Sequence, residues 1–177
     1  MEYKGNMDSA TVPAPRLAPV LHYVIARTVG ADFGAVKINK AVVAADREFF
    51  RRFGRTITGA ASFQKQQHGP VPNGVLKALK ALSVAGSVSK RSVMTPVGTR
   101  DEYLAHKEPD ISAFTAEEVD VMNMAIASLE RVTARQASEQ THDSLWDEVE
   151  MAGQIPVKAA AFSPSQVDED TLAWALS

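Results

Sequence analysis

Cysteine is absent from the 177 residues. That excludes disulfides, thiolate metal sites and a cysteine nucleophile, and it fits a reducing compartment. Long apolar runs are missing too: no stretch approaches the ~18 residues of a membrane helix. The opening MEYKGNMDSATVPAPR holds no apolar core of signal-peptide length. The expected location is therefore the cytoplasm, with no membrane partner. Charge of one sign is also scarce. A net charge of −2 at pH 7 gives no bulk drive toward nucleic acid or acidic lipid. Glycine-rich phosphate loops are lacking, as is any GxSxG elbow or HExxH pair.

What remains is an ordinary globular composition, 45% hydrophobic, in a chain long enough to bury a real core. Polar and small residues with two prolines fill 1–15, read as a flexible tail before one compact domain over 16–177. A helix is expected from about Pro19, with Leu21, Val24 and Ile25 on one side and Gly30 as its stop. Ile38, Val42, Ala45, Phe49 and Phe53 recur at helical spacing up to Gly54, the clearest amphipathic stretch in the chain. TITGAASFQ reads as an extended link. Beyond Pro72, Val75, Leu76, Leu79 and Leu82 mark a further helix.

SVSKRSVMTPVGTRDEYLAHK changes character, and Pro96 with Gly98 favours the turn of a two-stranded ribbon. Such a ribbon is marginal alone and must pack on the helices. Thr115 to Glu118 and Thr133 to Gln136 are capping boxes. The first opens a helix with Val119, Met122, Ile126 and Leu129 inward. The second opens a short helix, followed by one bearing Leu145, Trp146 and Val149. SPSQ from Ser163 signals a last helix with Leu172 and Trp174. The fold class is mainly α (α+β), with a small β-hairpin.

Chemical motifs are sparse. His22, His68, His106 and His142 form no metal-ligand pair, and a zinc site needs three or four converging side chains. Ser138 and His142 sit four apart, but an activated serine also needs an oxyanion hole and an orienting acid. No catalytic residue, cofactor or metal is expected. The helix after Thr141 carries Asp143, Asp147, Glu148 and Glu150 with no basic residue, which argues against a recognition helix on phosphates.

Basic residues gather instead at Arg47, Arg51, Arg52 and Arg55, and again at Lys90 and Arg91. These read either as a solvated helix face or as a docking rim. HGPVP, from His68 to Pro72, makes a stiff extended corner, since each proline fixes its own φ and restricts its predecessor. That corner serves either recognition or structure.

Two strings together resemble the Panacea domain of SocA-like antitoxins. KINKAVVAADREFFRRFGRTITGAASFQKQQHGPV carries Lys37, Lys40, Asp46, Gly54, Arg55, Gly59, His68, Gly69, Pro70 and Val71. ASEQTHDSLWDEVEMAGQIP carries Ser138, His142, Trp146, Gly153, Ile155 and Pro156. The resemblance spans about Leu17 to Phe162. It departs at Phe63, where tyrosine is common, at Val157, where an aromatic commonly follows Ile-Pro, and at Ala137, where a larger apolar residue stands. It implies an antitoxin that neutralises a cognate toxin by direct binding, and an adaptor that hands the toxin to a AAA+ protease. Because the domain accompanies many unrelated toxins, it does not name the partner. A DNA-binding autorepressor is the alternative.

The candidate partner-binding residues are Arg47, Arg51, Arg55, His68, Arg91 and Met94, a basic rim beside a rigid corner. Lys37, Asp46 and His142 can equally form a buried polar cluster that fixes the core, and Asp46 and Trp146 are expected in the core.

Overall fold

The computed structural model describes residues 13–141, 147 and 149–161. The expected tail up to residue 12, the helix around Leu145 and Trp146, and the last helix with Leu172 and Trp174 lie outside them. Pro13 packs on Gly74 and Pro15 on Gly59.

The first helix, α1, runs Leu17–Arg27, two residues earlier than its proline suggests. Leu17, Val20, Leu21, Val24 and Ile25 are all buried. α2, Ala35–Phe53, is the central element and touches most of the others. Its inward residues are those of the amphipathic pattern, except that Phe53 is half exposed and stacks on Phe49 at 4.4 Å. Phe53 is the last residue of α2, where the buried stripe runs out. Gly54 ends the helix in the left-handed region, φ 71°, a conformation that suits glycine.

The stretches read as a link and a corner are strands. β1 (Ser62–Gln66) pairs antiparallel with β2 (Gly69–Pro72) and with β5 (Gln154–Pro156), giving the order β2-β1-β5. The corner is thus extended as expected, and it is also an edge strand. That is the place in a sheet where prolines are tolerated, because an outer edge needs no N–H donor. Phe63 lies opposite both Pro72 and Ile155 and centres a small second core with Val43, Val157 and Ala160.

α3, Val75–Val84, buries Val75, Ala78 and Leu82, while the expected inward Leu76 is largely exposed. Helical rotation places Leu76 one step off the Val75–Ala78–Leu82 face. The ribbon forms as expected. β3 (Val88–Thr95) and β4 (Gly98–Ala105) pair from Val88↔Ala105 to Thr95↔Gly98, around a turn at Pro96 and Val97. Val88, Tyr103 and Ala105 anchor its base on the main core.

α4 (Ala116–Glu130) and α5 (Ala134–Glu139) both begin with the two reciprocal bonds of a capping box. In α4 the buried stripe is Val121, Met122, Ala125, Ile126 and Leu129, with Val119 at its margin. α6 (Val157–Ala161) follows β5 directly. Helices with two small antiparallel sheets make this an α+β fold.

Candidate functional site

The distant motif strings meet where α2, α5 and β2 converge. Lys40, on the inner face of α2, donates from Nζ to Thr141 Oγ1 at 2.8 Å. Thr141 Oγ1 donates in turn to Ser138 O at 2.8 Å, and Ser138 Oγ donates to His68 O at 2.7 Å. Gly69 has φ 104°, and a Cβ there would overlap Lys40 Nζ and Thr141 Oγ1. Only glycine satisfies both demands. Burial, with the nearby Arg47 charge adding to it, pulls Lys40 down to about 7. Ser138 commits its hydroxyl proton to a backbone carbonyl, which is a structural use. His142, four positions on, lies outside the described residues, as does Trp146.

Asp46 is buried, as expected. It accepts from Ile57 N at 2.8 Å, from Thr58 N at 3.0 Å and from the Thr58 hydroxyl. Burial pushes its carboxyl up to about 6, and the Thr58 and Ile57 donors pull it back. This explains the spacing of an aspartate in the helix and Ile-x-Gly beyond it: the carboxyl ties the loop after Gly54 onto α2. Lys37 does not join it. Its Nζ donates to Asp32 O at 2.8 Å and lies over the Phe33 ring. Lys37 and Asp46 are therefore two separate anchors rather than one cluster, set nine helical positions apart.

The basic rim disperses. Arg47 is only 6% exposed, so it faces the interior rather than a partner. The i, i+4 period puts it on the face of Val43. Arg51 pairs with Glu48 at 2.7 Å, and Arg91 pairs with Glu102 at 2.9 Å. Arg55 reaches Glu118 Oε1 at 2.7 Å while its guanidinium covers Phe49. His68 stays exposed at the β1–β2 turn. Met94 is 90% exposed near the ribbon tip.

Two residues escaped the sequence reading. Glu118 was legible only as a capping-box residue. It also accepts from Arg16 and Arg55, and the Arg16 hydrogen bonds hold it at about 2. Thr141 stands between Ser138 and His142 in the second string of the resemblance, and that string was its only signal.

The family model described as "Antitoxin SocA-like, Panacea domain" matches residues 38–147. The chain belongs to the Panacea family. The matched stretch holds Lys40, Asp46, His68, Gly69 and Ser138, the residues that join α2 to its loop, to β2 and to α5. Lys37 lies just before it, and Ile155 and Pro156 of β5 lie beyond it. No curated protein and no solved structure matches the chain. Among the described residues, no helix is long and apolar enough to cross a membrane, and no three His, Asp or Glu residues cluster as a metal site.

Proposed function

We propose that this Panacea-family chain neutralises a cognate toxin by binding it directly, in the cytoplasm, and delivers it to a AAA+ protease. Family membership supports an antitoxin role in general. The β3–β4 ribbon supports direct contact as the means. Its five charged residues satisfy one another or Asp32: Lys90 with Asp101, Arg91 with Glu102, and Arg100 with Glu102 and Asp32. Beyond them the tip is uncharged, and it exposes Met94 at 90% and Val97 at 98%. Apolar side chains held out on a paired ribbon, at no benefit to the core, carry this reading. Delivery needs no catalytic residue, only simultaneous contact with toxin and protease.

The test is co-expression of the tagged chain with the product of its neighbouring gene. Relief of toxicity and a stoichiometric complex are expected, with loss of the toxin dependent on the protease. A folded chain that neither relieves toxicity nor retains that product overturns the proposal.

A further inference from the structure

Lys40 is only 3% exposed, and among the described residues its hydrogen-bond partner is a neutral hydroxyl, Thr141 Oγ1. A buried ammonium without a counter-ion is costly. The structure does not seal this one away, because Lys40 and Thr141 both line a cleft of about 280 Å³ between α2, α4 and α5. Val43, Val121, Met124 and Leu129 give that cleft an apolar side, and Ser128, Gln140 and Thr141 give it a polar one. Arg47 adds a second positive charge two turns along α2. Glu48 also lines the cleft, and its carboxylate is engaged by Arg51 and Arg52.

We infer that this cleft binds a carboxylate borne on a short apolar body, with Lys40 as its counter-ion. The volume is just under the ~300 Å³ at which small-molecule sites begin. It suits a medium-chain acid, or the C-terminal apolar residue of a peptide. Either brings one negative charge to a site with a buried cation and covers its apolar tail against α4. Binding raises the proton affinity of Lys40, so ligand and proton are taken up together.

The test follows the Lys40 Cε and Nζ resonances of isotopically labelled full-length protein through titration with octanoate, octanamide, and an acetylated tripeptide ending in leucine. Octanoate is expected to move both resonances and to raise the titration midpoint of Lys40, while octanamide leaves them in place. Met124→Glu, on the exposed rim and away from the core, weakens octanoate binding about tenfold. A response to the tripeptide alone identifies a protein C-terminus as the natural source, and a response to octanoate alone identifies a free acid. Lys40 resonances unmoved by millimolar octanoate and tripeptide overturn the inference. So does an equal response to octanamide.

Discussion

Arg55 Nη1 lies 2.7 Å from Glu118 Oε1, so the arginine expected on a docking rim instead ties the end of α2 to the start of α4. Arg16 Nη1 meets the same oxygen at 2.7 Å, which brings the approach to α1 into one junction. The carboxylate is buried, while both guanidiniums keep contact with water. Glu118→Gln keeps the shape and removes the charge, and is expected to cost about 2 kcal/mol in urea unfolding at neutral pH. The pH dependence has a definite sign. Glu118 is held at about 2, below its ordinary 4.5. Its contribution is therefore full above about 4.5 and is lost as pH falls toward 2. The variant should lose less stability than wild type across that interval.

Gly69→Ala meets two penalties, a φ of 104° and overlap with Lys40 Nζ. A loss of about 2 kcal/mol or more is expected. If the overlap matters, pairing it with Lys40→Ala relieves part of the cost. Denaturation of the two single variants and the double variant should then show a coupling of about 1 kcal/mol. Strict additivity would mean that backbone strain alone sets the penalty.

Lys40 titrates near 7 when folded and near 10.5 when unfolded. Between those values the unfolded chain binds more protons, so stability rises with pH. Below about 7 the full cost of burying the charge is present, and above 10.5 it vanishes. Lys40→Met is expected to flatten this rise, read from chemical denaturation at successive pH values. An unchanged slope would assign the rise to another group.

Met94→Glu and Val97→Asp alter side chains that touch almost nothing. Their stability should stay within about 0.5 kcal/mol of wild type. Affinity for the co-expressed toxin should fall at least about tenfold if the tip is the contact. Full protection by the double variant would remove the ribbon from the interface.

Helices that carry their own punctuation were legible residue by residue. Ile38 to Phe49 with Gly54, Thr115 with Glu118, and Thr133 with Gln136 each act within a few positions. The ribbon was legible for the same reason, since Pro96 and Gly98 specify its turn locally. The three-stranded sheet was not. β1 and β2 are short, two of the four residues in β2 are prolines, and the partner β5 lies some 90 residues downstream. No periodicity accumulates over so few residues.

The candidate site divides along the same line. Resemblance pointed to Lys40, Asp46, Gly69 and Ser138, but their contacts are made by Thr141, Thr58 and a backbone carbonyl of His68. Arg47 and Arg55 look alike in a run of arginines. One is turned inward from α2 and the other clasps Glu118, because Arg47 sits within the helix while Arg55 lies past the turn at Gly54.

Near-neighbour chemistry in the sequence was enough for the class of fold, the end of α2, the starts of α4 and α5, the ribbon and the family, because propensity, capping and turn chemistry act over a few positions. Only the tertiary structure decided which charges are spent on internal pairs and which apolar groups remain outside. Burial and pairing at any one residue depend on what distant segments bring to it.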